Sequence, residues 1–328
     1  MRRSLFAIGL CTALALSACG GDGDDGANAG TTAAPTTTAA APVTTTVAGT
    51  TTAVAAFPVT VKAANGDVTI AKRPTRIVSL APTPTEMLFA IGAGSQVVAV
   101  DDQSNYPANV PKTDLSGFTP NLEAIAGYDP DLVVITNDID DLVAGMAKLK
   151  IPTLLLPAAD TLDDTYAELE LLGIATGNSD AATKVVAGME ADIETLLARV
   201  PSRERPLTYF HELDNTLYTV TSKTFIGQVY ALAGLQNIAD AADDGSGYPQ
   251  LSTELIVKEN PDLVFLADTK CCGQDATVVA KRPGWNVLKA VNDGGVVELD
   301  DDVASRWGPR VVDFLKAVVD AVVKVPAA

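Results

Sequence analysis

Histidine is almost missing from this sequence: one occurs in 328 residues. A zinc or manganese centre built from two or three imidazoles of a single chain is therefore excluded. Positive charge is also scarce. Lys and Arg total 23 against 41 Asp and Glu, a net charge of −18. A surface that displaces counterions from phosphates needs the opposite balance, so nucleic acid is a poor partner. Aromatic residues make up 5% of the chain and cysteines number 4. The patterns G-x-x-x-x-G-K-[ST], H-E-x-x-H and G-x-S-x-G are all absent, so no catalytic residue, enzyme activity or resident cofactor is assigned. What is present is a hydrophobic fraction of 47%. That is too apolar for a wholly disordered chain, and the length suffices for two lobes with separate cores.

Residues 1–19 read MRRSLFAIGLCTALALSAC. A basic start (Arg2, Arg3) precedes an apolar stretch too short to span a bilayer with ease. Leu16-Ser17-Ala18-Cys19 looks like a bacterial lipobox, with residues 1–18 as a lipoprotein signal peptide and Cys19 as the lipidated residue. The alternative is an uncleaved anchor helix, but Gly20-Gly21-Asp22-Gly23-Asp24-Asp25 follows at once and cannot continue a helix into hydrocarbon. Residues 19–57 are expected to form a lipid-bearing, disordered Thr/Ala/Pro tether, since their composition offers too little apolar area to offset ordering entropy. No later run of about 20 apolar residues occurs. The expected location is extracytoplasmic, on the bacterial cell membrane through a lipid anchor alone. Cys271 and Cys272 are then the remaining thiols, either a strained vicinal disulfide or two separate thiols.

From Val59 onward, β-branched runs alternate with helical patterns. Strands are expected at 76–80, 97–100, 131–136, 153–157, 207–213, 262–268 and 296–300, and helices at 85–93, 121–128, 140–149, 223–234, 252–260 and 308–324. Alternation of this kind predicts an α/β fold with parallel sheets. NLEAIAGYDPDLVVIT (121–136) also aligns without gaps to STELIVKENPDLVFLA (252–267), setting Glu123 on Glu254 and Pro130-Asp131 on Pro261-Asp262. Internal similarity marks a repeated unit. Between the halves, SDAATKVVAGMEADIETLLARV (179–200) carries apolar residues at helical spacing. Asn178 or Ser179 can cap its start and Pro201 stops it. The expected division is an N-terminal lobe at 58–177, a connecting helix at 178–201 and a C-terminal lobe at 202–328.

The order RPTRIVSLAPTPTEMLFAIGA, NYP, NLEAIAGYDPDLVV, the long helix, YPQLSTELIVKENPDLVF and SRWGPR resembles the helical-backbone substrate-binding proteins of ABC importers for cobalamin, haem and ferric siderophores. The resemblance runs from about residue 60 to the C-terminus. It implies two Rossmann-like lobes bridged by one long rigid helix, with ligand held between them. It implies a monomer whose partners are an ABC permease dimer with its cytoplasmic ATPase and a small-molecule metal chelate, with cobalamin ahead of ferric siderophore or haem. It also implies that Glu123 and Glu254 dock onto arginines of the permease, where bidentate pairs fix orientation. Each glutamate alone could equally serve a helix dipole. Glu86 follows a Thr at a helix start too, but has no counterpart in the second half.

Ligands of open α/β sheets bind beyond the carboxyl ends of strands. That rule selects Gln103, Tyr106, Phe118 and Asn137 from the first lobe, and His211, Tyr248, Arg306 and Trp307 from the second. Tyr248 either contacts ligand, as the resemblance implies, or packs its loop. Arg306 either faces ligand or forms a surface salt bridge. Trp307 covers an apolar ligand face or caps the last helix. His211 is either satisfied by hydrogen bonds or supplies one axial imidazole to a chelated metal. No other direct metal ligand is expected. Positions where cobalamin-binding relatives place tryptophans fall near Gly117 and Thr136, with Phe118 a partial substitute. Two rival readings are a surface sensor or adhesin lipoprotein without transport and a chelatase-like enzyme on the same fold.

Overall fold

The computed structural model describes residues 56–327. The expected signal segment, the tether up to residue 55 and Cys19 lie outside the described residues. The first lobe opens with a hairpin, β1 (Val59–Ala63) and β2 (Gly66–Ile70), paired antiparallel. There follow β3 (Ile77–Ser79), α1 (Pro82–Ala90), β4 (Val97–Val100), α2 (Leu122–Ala126), β5 (Leu132–Ile135), α3 (Leu142–Lys148) and β6 (Thr153–Leu155). Two helices come next, α4 (Leu162–Thr176) and α5 (Ser179–Leu197). The second lobe contains β7 (Thr208–Glu212), α6 (Phe225–Leu232), β8 (Gln236–Asn237), α7 (Thr253–Glu259) and β9 (Leu263–Leu266). It continues through α8 (Thr269–Cys272), α9 (Ala276–Ala280), α10 (Lys289–Asn292), β10 (Val296–Glu298), α11 (Asp301–Ala304) and α12 (Val311–Lys324).

The two lobes repeat one topology. Their parallel sheets run β4-β3-β5-β6 and β8-β7-β9-β10. Every residue of β5 and β9 is buried, as expected of central strands covered on both faces. The chain enters each repeated helix in the same way: the side chains of Asn121 and Ser252 accept hydrogen bonds from the N–H groups of Ala124 and Leu255. Ile125 and Ile256 then pack beneath the corresponding strands in two matching clusters. Past the Pro-Asp turn, Asp131 accepts from the backbone N–H of Thr75 and Arg76, and Asp262 from that of Thr208. In both halves an aspartate at the start of one strand thus ties down the start of its neighbour. Burial alone would raise the Asp262 carboxyl, but Arg205, Lys289 and the Thr208 N–H outweigh it and hold the group well below the usual range.

α5 buries Ala182, Val186, Met189, Ile193 and Leu196, a stripe at helical spacing. It passes from one lobe to the other and packs on α4 and α12. Its pairing with α4 is close because Gly173 faces Ala182; a Cβ on Gly173 would come within 2.5 Å of the Ala182 Cβ. Asn178 stands at the N-cap but does not cap. Its amide instead reaches Gln96 and Thr176, tying the α4–α5 junction to the first lobe. One hydrophobic cluster runs from β1 and β3 through both helices into β7, β9 and α12. Among the described residues, no helix is long and apolar enough to cross a membrane.

Candidate functional site

A cavity of about 400 Å³ lies where the carboxyl ends of the first sheet face the segment 301–307. Strand β3 delivers Leu80 to Thr83, β4 delivers Asp101 and Gln103, and β5 delivers Thr136 and Asn137. The loop before α2 supplies Gly117 and Phe118, and the opposite wall consists of Asp301, Asp302, Ser305, Arg306 and Trp307. A larger hollow of about 960 Å³ lies at the amino ends of β9 and β10, beside α12. The smaller one is the better site, because strand carboxyl ends are where open α/β sheets present variable loops and helix N-termini.

Five of the eight expected ligand residues meet in this cavity: Gln103, Phe118, Asn137, Arg306 and Trp307. Phe118 is 72% exposed, an aromatic face held open toward the hollow. Tyr106 and Tyr248 lie outside the cavity wall. Tyr106 carries the Arg310 guanidinium 4.2 Å above its ring. Tyr248 is 48% exposed in its loop, and burial of its hydroxyl together with nearby Asp160 raises its phenol above the ordinary value.

His211 requires a correction. It is fully buried in β7 and turned into the core, where its Nδ1 lies 2.7 Å from the Tyr230 hydroxyl and its ring abuts Tyr230 and Phe314. It therefore does not reach the cavity, and burial pushes its pKa down to about 3. Strand β7 is covered on both faces, so alternation along LTYFHEL could not reveal which side chains point to helices and which to ligand.

Gly117 is required by close approach. A Cβ there would collide with the Leu80 carbonyl oxygen, so no larger side chain fits without moving backbone. Ring surface at this wall comes from Phe118 instead.

The charges are arranged with little left over. Arg306 Nη1 donates to Glu86 Oε1 at 2.6 Å and to Asn105 Oδ1 at 2.9 Å, while Nη2 reaches Asp302 at 2.6 Å. Arg310 donates to both oxygens of the same Glu86. Glu86, set aside in the sequence, is thus the buried centre of an ion cluster joining α1 to the C-terminal segment. Lys270 is held by Asp300 and Asp302. Asp101 accepts from Ser104, yet burial still raises its carboxyl above the ordinary value. Among the described residues lining the cavity, the carboxyl groups are Asp101, Asp301 and Asp302, and the one cation is Arg306.

Glu123 and Glu254 are exposed in the first turns of α2 and α7. Each helix runs back against the strand that follows it, which brings both first turns to the carboxyl end of their sheets. The Glu254 carboxyl is held below its ordinary value by its own backbone N–H and the Ser252 hydroxyl. Cys271 is exposed and Cys272 half-buried, both free thiols; the backbone N–H of Cys271 donates to Asp301 in the cavity wall.

The sequence pattern of the periplasmic binding protein family matches residues 77–303. The chain is 32% identical over 276 residues to the uncharacterized ABC transporter substrate-binding lipoprotein YvrC of Bacillus subtilis, covering 81% of this chain and 86% of that protein. It is 32% identical over 277 residues to a cobalamin-binding protein of Halobacterium salinarum, covering 81% and 74%. The crystal structure of the periplasmic vitamin B12 binding protein BtuF of Vibrio cholerae is similar with a TM-score of 0.64 and 25% identity, over 76% of this chain and 97% of that one.

Proposed function

This chain belongs to the periplasmic binding protein family, and on that premise we propose that it captures a metal chelate of the cobalamin class outside the cytoplasm and delivers it to an ABC permease. The observation that carries the reading is the cavity between the first sheet and the segment 301–307, with Phe118 and Trp307 among its lining residues. Ring faces with a few polar groups suit a broad chelate ringed by amides. Charge supports cobalamin over haem or an anionic ferric siderophore. Arg306 is consumed by Glu86 and Asp302, so the carboxylates of an anionic ligand would meet three Asp residues and no free cation. His211, turned into the core, offers no axial imidazole. Gln103 and Asn137 present neutral groups that can pair with amides.

In this reading Glu123 and Glu254 are the docking pair for permease arginines. Their exposure and their equivalent places in a repeated topology support that role, since a two-fold permease presents matching sites to matching lobes. Cys19 carries the lipid, the chain acts as a monomer, and the permease is driven by a cytoplasmic ATPase. The relatives are named for binding, which supports capture without catalysis. The test is equilibrium binding of cyanocobalamin, haemin and a ferric hydroxamate to the purified protein, followed by uptake in cells carrying Glu123→Ala with Glu254→Ala. Cyanocobalamin should bind tightest, and the double variant should bind normally while losing uptake. Preferential haemin binding would overturn the ligand assignment, and lost binding in the double variant would overturn the docking assignment.

A further inference from the structure

The cavity residue Trp307 is gripped from outside the cavity by one face of α4. Thr165 Oγ1 donates to the Trp307 carbonyl at 2.8 Å, and the Trp307 indole Nε1 donates to Glu168 Oε2 at 3.1 Å. Thr165 and Glu168 are one helical turn apart, so they present side by side. Thr165 is fully buried and fixes the backbone; Glu168 is half-buried and fixes the ring. The preceding residue, Arg306, is locked on Glu86. With main chain and neighbour both held, the indole's remaining freedom is rotation about its own side-chain bonds, and Glu168 is its one hydrogen-bond partner.

We infer that Glu168 is a positioning residue of the cleft, setting the indole plane of Trp307 and thereby linking ligand capture to the protonation of a carboxyl that does not touch the ligand. The inference rests on the assignment of this cavity as the ligand site. The ionised carboxylate makes a charge-assisted bond to the indole N–H, and the neutral acid makes a weaker one. Burial raises the Glu168 carboxyl to about 7, against the lowering effect of the Trp307 bond, and Asp164 one turn earlier adds to the rise. The other charged groups around this side of α4 are Lys62 on β1, Asp160, and Asp164, which is engaged with Thr161 at the helix start. Across the contact, Arg306 and Arg310 are paired with Glu86. Of the carboxylates on this side of α4, Glu168 is the one that hydrogen-bonds a residue of the cleft wall.

The test uses the purified protein, with cyanocobalamin as a probe that carries no titrating group in the range. Tryptophan emission of the ligand-free protein is recorded from pH 5.5 to 8.5, and the contribution of Trp307 is taken by difference from Trp307→Phe. That contribution should titrate with a midpoint near 7, and in Glu168→Gln it should not titrate. Cyanocobalamin affinity should rise by about fivefold from pH 5.5 to 8.5 in the native protein and stay level in Glu168→Gln, which still folds and still accepts from the indole. A Trp307 signal that is flat with pH, or that titrates unchanged in Glu168→Gln, overturns the inference. A signal that titrates in a protein that binds no cyanocobalamin supports the Glu168–Trp307 coupling and overturns the ligand assignment instead.

Discussion

Arg306 and Glu86 stand 220 positions apart in the chain, and their side chains meet at 2.6 Å with almost no access to solvent. Glu86 belongs to α1 of the first lobe, whereas Arg306 follows α11. Arg310 closes on the same carboxylate from the other side. A carboxylate withdrawn from water is tolerable here because two guanidinium groups replace its hydration, and Asp302 and Asn105 share the load on Arg306. Removing Glu86 leaves Arg310 buried without its carboxylate and Arg306 with Asp302 and Asn105 alone. Glu86→Ala is therefore expected to destabilise the protein by about 3–5 kcal/mol, measured by urea unfolding at neutral pH. A loss below about 1 kcal/mol would mean that the arginines find water or new partners, and that the cluster does not hold the C-terminal segment on the first lobe.

Much of the architecture was legible because burial on both faces leaves its mark locally. The runs DLVVIT and DLVFLAD are continuous apolar segments that only central parallel strands accommodate, and both form strands, β5 and β9. Their repeated Pro-Asp turns mark two equivalent halves. Other local signals lie in short turn and cap motifs. Thr161-x-x-Asp164 is a capping box that opens α4, and Ala64-Asn65 forms the turn of the β1–β2 hairpin, with Gly66 at positive φ directly after it. The expected start of α1 at residue 85 is three residues late, because Pro82 sits at the first helical position, where its missing N–H costs nothing. The ion cluster around Glu86 had no local signal at all. Its partners arrive from the far end of the chain, and spacing along a sequence carries no trace of such a meeting. The same holds for Trp307 and Glu168.

A second buried acid makes stability depend on pH. Asp268 follows β9 and is fully buried, and no N–H or O–H group donates to either of its oxygens. Burial first, and then the neighbouring Glu212 carboxylate, raises its pKa to about 7, while Arg282 works in the opposite direction. Arg282 is already committed to Glu212 through a two-pronged contact. The folded protein thus keeps a proton on Asp268 that the unfolded chain releases near pH 4. Stability from this group is full below that pH and is lost as pH rises through about 7. The melting temperature of the native protein should fall more between pH 5 and pH 8.5 than that of Asp268→Asn, which fits the same space and carries no charge. Parallel curves for the two proteins would show that Asp268 is ionised in the fold at neutral pH.

His211 titrates with the opposite sign, and this separates a core role from a ligand role. Its Nδ1 pairs with the Tyr230 hydroxyl, its Nε2 has no partner, and burial pushes its pKa down to about 3. Below about pH 6.5 the unfolded chain takes up a proton that the folded chain refuses, so stability declines as pH falls toward 3. His211→Gln removes that pH-dependent loss. It also disturbs the bond to Tyr230, whose ring stacks among Tyr209, Phe265 and Phe314. The expected cost is about 1–3 kcal/mol at pH 7 if the new amide fails to satisfy the hydroxyl. Because the imidazole never faces the cavity, cyanocobalamin affinity should stay within about twofold of the native value, and the visible spectrum of the bound probe should not shift. A lost or altered cobalt band in His211→Gln would place the imidazole on the metal and overturn the core assignment of this residue.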